Sequence, residues 1–450
     1  MTAPKAARRR HTAGFWLVAF AYLATMAFST APTPLYPLYQ QQLGFSTLTI
    51  TVVFAVYAIG VLTSLFFAGH LSDRVGRRPA MLAALLIQLG AAALFLLEPA
   101  LPVLLAARFL SGLGVGMLTA TATASLQELH RASRPGASSQ RFEIVSTAAN
   151  IGGLGVGPLL SGALAEQVGW ALFTPYLVLG LTLVAAAAAV GLVPETVAGG
   201  VRRPYRPQGV RVPSGDRSGY ATALAGGFVA FAVFGVFSSL APGFLATALD
   251  VPSPAVAGLI TFAVYGGAAV AQTLTAGLRP ARRRGAGVAA QLLGLAGLTA
   301  GMHAASLPLF VLGGVLSGIG SGLLFKAAVG AVAESAEPAK RGEALAGLFL
   351  VAYLGLALPV VGVGLATVVT TGTVAMTWLA VALVVVLLAM TAVERRTGSA
   401  TPVRTPRTPE ERRRHTALAL AGLHPNAVLF ASSTSAARRA LSADRSGGAE

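Results

Sequence analysis

The sequence predicts an all-α polytopic membrane protein with twelve transmembrane helices in two pseudo-symmetric halves of six. Three observations carry that reading. Of the 450 residues, 55% are hydrophobic and 11% charged, against roughly 25% charged in a soluble domain. So little charge cannot cover a soluble surface, and lipid has to be the solvent for most of the chain. The first half is then repeated in the second. Phe54-Ala55-Val56-Tyr57 returns as Phe262-Ala263-Val264-Tyr265, and Leu110-Ser111-Gly112 with Gly114 and Gly116 returns as Leu316-Ser317-Gly318 with Gly320 and Gly322. Glu128 and Glu334 close the matching segments. Finally, the basic residues collect in alternate loops. Parallel repeats of about six spans are a transporter's plan, with the substrate expected between them.

The spans read in order near 14–35, 48–69, 80–98, 102–125, 143–166, 170–191, 220–241, 256–277, 285–303, 307–332, 343–367 and 372–393. Each is about 20 residues, enough to cross a ~30 Å hydrocarbon core. The first follows Arg8-Arg9-Arg10, a start that resembles a signal peptide. Eleven further spans follow it and no small-residue cleavage site stands out, so it is read as span 1. Its end, Thr30-Ala31-Pro32-Thr33-Pro34-Leu35-Tyr36-Pro37, is rich in residues that stop helices.

With the N-terminus inside, the inner loops hold Arg74, Arg77 and Arg78; Arg131, Arg134 and Arg141; Arg202, Arg203, Arg206, Arg211 and Arg217; Arg279, Arg282, Arg283 and Arg284; Lys340 and Arg341. The outer loops near 36–47, 99–101, 167–169, 242–255, 304–306 and 368–371 hold no Lys or Arg. That bias puts both termini in the cytoplasm. The Arg, Ala, Gly and Pro bias points to a bacterial protein, hence to the inner (cytoplasmic) membrane. The organisation read from this is a half at 1–191, a cytoplasmic linker at 192–219, a half at 220–395 and a disordered tail at 396–450, with a short helix conceivable at 410–421.

The net charge of +17 lies in short loops and forms no basic face, which argues against nucleic acid. There is no Cys, so neither disulfides nor thiol chemistry enter. His70, His130, His303 and His415 are scattered, with no His-x-x-x-His pair, and no Gly-rich loop ends in Gly-Lys-Ser/Thr. No metal, cofactor or catalytic centre is expected, and the protein is read as no enzyme.

The sharpest local signal is Gly69-His70-Leu71-Ser72-Asp73-Arg74-Val75-Gly76-Arg77-Arg78-Pro79. Asp73 can cap a short turn or a neighbouring helix start. Gly76 lets the chain reverse. Arg77 and Arg78 can hold a carboxylate or terminal carbonyls. A basic turn that only anchors topology would explain the arginines but not the Gly, Asp and Gly spacing. The segment resembles the cytoplasmic signature of the major facilitator superfamily: Gly, any residue, Leu, small, Asp, Arg, any residue, Gly, Arg, Arg or Lys. The resemblance implies the major facilitator fold. It also implies that Asp73, Arg74, Arg77 and Arg78 form a latch and charge relay that holds the halves in the outward-facing state. In the second half, Gly277-Leu278-Arg279-Pro280-Ala281-Arg282 carries Ala281 where Asp would stand.

Arg108 lies about six residues into the fourth span, at a depth that costs several kcal/mol unless the charge is paired, hydrated or able to snorkel. Its counterpart is Gly314. It is either an outward-snorkelling arginine or a cavity residue; resemblance to the superfamily's helix-4 signature implies a link to proton transfer. Gly153, Gly157, Pro158 and Gly162 in the fifth span resemble the Gly-Pro signature of proton-coupled exporters, with Ser161 in place of one Gly. Physically they offer a small packing face and a bend. With Pro32 and Pro34 of span 1, they resemble the twelve-span drug/proton antiporter branch. Helix 11 echoes them in Gly355, Pro359 and Gly362.

The resemblance lets spans 1, 4, 7 and 10 line the cavity. The candidates there are Ser29, Thr30, Thr119, Thr123 and Ser238, with Ser239 beside it, and the stripe Phe231, Phe234 and Phe237, which could equally pack against helices or lipid. Lys326 either attracts an anion or snorkels to headgroups. No carboxylate is read at mid-span. Glu98 and Glu166 lie at outer ends; Glu128, Glu143, Glu334 and Glu343 at inner ends. Proton coupling would fall to Glu128, Glu143 or Asp73 with Arg108. The function expected is secondary active transport by alternating access: proton-coupled efflux of a small hydrophobic or amphipathic solute by a monomer in the bilayer. The alternative is import of a small metabolite such as an organic acid or sugar.

Overall fold

A computed structural model of the chain describes residues 5–68, 71–97, 99–197, 207–213, 216–337 and 340–398. Gly69, His70, Glu98, the linker arginines Arg202, Arg203 and Arg206, and the tail with its expected helix at 410–421 and His415 lie outside the described residues. Among the described residues, twelve helices are long and apolar enough to cross a membrane. They are α1 (Arg8–Leu43), α2 (Thr47–Ala68), α3 (Arg77–Phe95), α4 (Leu101–Ser133), α5 (Gln140–Gln167), α6 (Thr174–Gly191), α7 (Arg217–Ala248), α8 (Pro254–Leu274), α9 (Pro280–His303), α10 (Leu307–Ser335), α11 (Arg341–Ala366) and α12 (Gly372–Arg396). Among the described residues there is no β-strand.

Several helices outrun the expected spans: α4 ends at Ser133 rather than 125, α7 at Ala248 rather than 241, and α9 starts at Pro280 rather than 285. Two further differences have local physical reasons. The proline-rich end of α1 does not terminate the span. The chain tightens into a 3₁₀ turn at Thr33–Leu35 and resumes as a helix over Tyr36–Leu43, ended by Gly44 at φ 68°. Here Pro sits at helix starts, where its missing N–H costs nothing. Helix α6 starts four residues later than expected, because Trp170 takes φ 61° and a turn occupies 171–173.

The packing follows the sequence repeat. α4 contacts α1, α2 and α3, while α10 contacts α7, α8 and α9. α1 also packs on α5, as α7 does on α11. The two groups meet through α5 against α8 and α2 against α11, contacts that exchange under the same two-fold relation. α12 faces α7 and α9 across a small apolar pocket, to which it contributes Met376, Leu379, Ala380 and Leu383.

The repeated words in the sequence are the two sides of one helix crossing. A Cβ on Gly112 would lie 2.1 Å from the Tyr57 carbonyl oxygen, and one on Gly318 would lie 2.2 Å from that of Val264. Both halves therefore need a bare backbone at this position to let α2 reach α4 and α8 reach α10. Large apolar side chains such as Ile59, Phe67, Leu86, Leu181 and Val385 stay exposed on the outside, as a lipid-facing surface requires.

Candidate functional site

A cavity lies where the two groups of helices face one another. It holds about 1030 Å³ of space not filled by atoms, including the part open to solvent. Both groups contribute: Met26, Ser29, Thr30 and Thr33 from α1, Phe54 and Tyr57 from α2, Arg108 and Thr119 from α4, and Asn150 and Ile151 from α5. From the second group come Phe231, Phe234 and Ser238, Tyr265 and Gln272, Phe325, and Phe349 and Tyr353. Two π-helical turns, Ala148–Gly152 in α5 and Val236–Leu240 in α7, supply Asn150, Ile151 and Ser238. Such bulges shift the helix register locally, often at functional sites.

Of the residues expected in the cavity, Ser29, Thr30, Thr119, Phe231, Phe234 and Ser238 line it. Thr123, Phe237 and Lys326 do not. Thr123 is one turn further along α4. Phe237 is fully buried, and its ring lies where a Cβ on Gly314 would come within 2.7 Å. At 3.6 residues per turn, steps of three rotate the stripe progressively, so Phe231 and Phe234 keep the cavity while Phe237 turns into the α7–α10 contact. Lys326 donates from Nζ to the Gln272 carbonyl at 2.8 Å, so it caps backbone of α8 behind the lining. Ser239 is tied to the Gly235 carbonyl at 2.8 Å.

The sequence reading missed the aromatic residues of α2, α8 and α11. Tyr57 and Tyr265, related by the repeat, both border the cavity. Tyr265 shares a 2.8 Å hydrogen bond with Ser238 and stacks on Phe234, with centroids 4.8 Å apart. Tyr353 meets Phe231 edge-on at 5.3 Å. The signal was available: the repeated Phe-Ala-Val-Tyr placed the same side chain in both halves.

Arg108 is 2% exposed and does not snorkel outward. Its Nη1 donates to the Ser29 carbonyl at 2.8 Å. The guanidinium sits 4.6 Å from the Tyr57 ring centroid and 5.5 Å from that of Phe54, and Nε has no partner among the described residues. A charged donor on a carbonyl contributes about 1.5–3 kcal/mol and cation–π contact about 0.5–2 kcal/mol. Those gains offset much of the ~2.5–3.5 kcal/mol that an arginine costs at helix centre, without supplying a counter-charge. Gly314 at the repeat-related position leaves room for Phe237 instead; this asymmetry gives the cavity one charged wall.

Packing between the two groups seals the cavity toward the face whose loops lack arginine. Thr33 Oγ1 donates to the Ser238 carbonyl at 3.1 Å. A Cβ on Gly162 would lie 2.2 Å from the Pro254 carbonyl oxygen, and one on Gly258 would lie 2.2 Å from that of Pro158. Glu166 accepts from Ser253 Oγ at 2.5 Å and Ala255 N–H at 3.0 Å, so it caps the start of α8 from across the boundary. Further along α5, Gly153 and Gly157 press on α1 at Leu23, Met26 and Ala27. The helix-5 Gly-Pro pattern thus divides its faces between α1 and α8.

The turn between α2 and α3 forms a network on the arginine-rich face. Asp73 pairs with Arg77 at 2.5 Å, and Arg77 pairs with Glu128 of α4 at 2.9 Å and donates to Ser72 Oγ at 2.7 Å. Asp73 is more than half exposed while Arg77 is largely covered, so the Arg77–Glu128 contact is the stronger anchor. Asp73 does not cap a neighbouring helix; Glu195 does. Its two oxygens accept the N–H groups of Arg77 and Arg78 at 2.9 and 3.0 Å, and Thr196 Oγ1 donates to Glu128 at 2.5 Å. Burial opposes the Glu195 charge, but the N–H groups of Val197, Arg77, Arg78 and Thr196 outweigh it and hold the carboxyl below its usual range. Arg74 lies exposed on the short helix Leu71–Val75.

At the second turn, Arg283 takes the role of closing carbonyls, donating to Thr275, Ala276 and Leu278. Glu143 accepts from Ser139 at 2.7 Å. Neither Glu128, Glu143 nor Asp73 borders the cavity or meets Arg108; the structure keeps the three candidates for proton coupling apart from it. The linker residue Gln208 donates to the Phe66 carbonyl at 2.9 Å, and Arg211 pairs with Glu343 at 3.0 Å. This stretch therefore joins the end of α2 to the start of α11.

The fold is shared with solved structures of other proteins. A crystal structure of a POT family transporter in complex with 5-aminolevulinic acid superposes with a TM-score of 0.69 at 13% identity, covering 86% of this chain and 96% of that one. In sequence, the chain is 28% identical over 155 residues to an uncharacterised MFS-type transporter of Mycobacterium tuberculosis, 34% of this chain and 26% of that protein. It is 34% identical over 92 residues to the multidrug resistance protein MdtL of a Shewanella strain, 20% of this chain and 23% of that one. The matched stretch spans about a quarter of the length of these relatives. The sequence model of the Major Facilitator Superfamily matches residues 18–219 and again 222–443, one copy for each set of helices around the cavity. The chain belongs to the Major Facilitator Superfamily.

Proposed function

We propose that this transporter exports a small hydrophobic or amphipathic solute by alternating access, driven by an inward flow of protons. The observation that carries the reading is the cavity itself: it is walled by both repeats, carries aromatic side chains from each of them beside aliphatic, hydroxyl and amide groups, and is sealed at one end by the contacts between them. A site of this kind accepts apolar bodies and discriminates weakly among them. The Gly-Pro pattern of α5 and the local likeness to a multidrug resistance protein support the direction. With the arginine-rich face in the cytoplasm, the sealed side is the outer one, and the cavity is presented to the cell interior. The halves at 1–191 and 220–395 then rock about α5–α8 and α2–α11, with Asp73, Arg74, Arg77 and Arg78 as the latch.

The test uses everted membrane vesicles acidified inside, with a fluorescent amphipathic dye outside. Uptake should be gradient-driven and should stop when a protonophore is added. Uptake that ignores the protonophore overturns the coupling. A deletion strain that loses growth on one carbon source with unchanged sensitivity to toxic solutes favours import instead.

A further inference from the structure

We propose that the cavity binds organic anions, with the carboxylate of an aromatic or amphipathic solute paired to Arg108. The proposal rests on reading the cavity as the substrate site. Arg108 is the sole charged residue among those lining the cavity; the others are apolar, aromatic, hydroxyl or amide side chains. An arginine presents five N–H donors and stays cationic in proteins. Among the described residues, Arg108 has one hydrogen bond, to the Ser29 carbonyl, and an unpartnered Nε, at 2% exposure. No ion pair among the described residues includes it.

Among the described residues, no carboxylate lines either of the two pockets that Arg108 borders. On α2 it meets the faces of Phe54 and Tyr57. Its other flank borders a small pocket that it shares with Pro32, Tyr36, Tyr39 and Phe95, again without an acid. A cationic solute would add a second positive charge to a site with no negative one. A neutral solute would leave the buried cation as it stands. An anion completes it with charge-assisted hydrogen bonds in a low-dielectric setting, where such bonds are strongest. The solute's ring then has Tyr57, Phe234, Tyr265 and Tyr353 beside it.

The experiment compares three probes of one shape on the purified full-length protein in nanodiscs, in chloride-free buffer: 2-naphthoate, its neutral amide and 2-naphthylmethylammonium. Equilibrium dialysis should show naphthoate binding about tenfold or more tighter than the other two. Arg108→Gln should erase that preference while keeping amide binding, which also reports a folded site. Arg108→Lys should keep part of it. The proposal is overturned if wild-type protein shows no saturable naphthoate binding, if the ammonium binds as tightly as naphthoate, or if Arg108→Gln retains the preference. Because dialysis needs no gradient, it separates this claim from the one above. Proton-driven dye uptake without anion preference would sink the anion site alone, and anion preference without driven uptake would sink the exporter alone.

Discussion

Glu195 and Arg77 meet backbone to side chain: the first residues of the linker supply the carboxylate that caps α3, whose first side chain holds Glu128 of α4. The turn between α2 and α3, the inner end of α4 and the start of the linker are therefore one hydrogen-bonded unit. A shift of α4 against α3 has to break charge-assisted bonds.

Asp73→Asn and Arg77→Ala should each reduce transport strongly while leaving abundance near wild type, with Arg77→Ala the more severe because it also frees Glu128. The double variant should lose less than the sum, by a coupling of about 0.5–1 kcal/mol for a pair this exposed. Initial uptake rates in vesicles measure this. A native chain without Cys allows a second readout. A cysteine at Ser146, on the cavity wall, should label faster from the arginine-rich side when Asp73 is neutralised.

Glu195 gives the network a pH dependence of definite sign. Its folded carboxyl lies below the unfolded value, about 4.3 for a glutamate. Its contribution is complete above the unfolded value and is lost as pH falls through the lower, folded one. Glu195→Gln should lower stability at neutral pH by about 1 kcal/mol and flatten the acid side of a plot of melting temperature against pH. An acid limb as steep as that of wild type would show that other carboxylates control it.

Two glycines of adjacent helices should respond in opposite ways to the same methyl group. Gly112→Ala drives Cβ into the Tyr57 carbonyl and should cost about 1–3 kcal/mol or more. Gly90→Ala in α3 has only Leu110 Cδ1, at 3.9 Å, before it, and should be neutral or stabilising by up to about 1 kcal/mol. Monodisperse yield and melting temperature in detergent distinguish them.

Glu166→Gln weakens the cap on α8 and with it the seal between α5 and α8. A cysteine at Val115, inside the cavity, should then react faster with a membrane-impermeant maleimide added at the arginine-poor face. Equal labelling rates would assign the seal to the glycine contacts of Gly162 and Gly258 alone.

The sequence by itself determined the class of fold and its two-fold plan. Hydrophobic length, the Phe-Ala-Val-Tyr and Leu-Ser-Gly repeats and the arginine bias are properties of the chain, and each survives translation into helices because membrane backbone must satisfy its own hydrogen bonds. Tertiary structure decided which repeated residues do what. Gly112 and Gly318 proved to be the crossing points against Tyr57 and Val264, which explains why those words recur together. It also decided the cavity's lining. Tyr57, Tyr265 and Tyr353 enter from helices not expected to contribute, while Phe237 leaves the face because the helical period is not three. The cap from Glu195 was illegible for the same reason: 118 residues separate it from Arg77, and no periodicity reaches that far. Whether Arg108 snorkels or turns inward depends on what lies beside it, and only packed α1 and α2 could supply the Ser29 carbonyl and the Tyr57 ring that keep it inside.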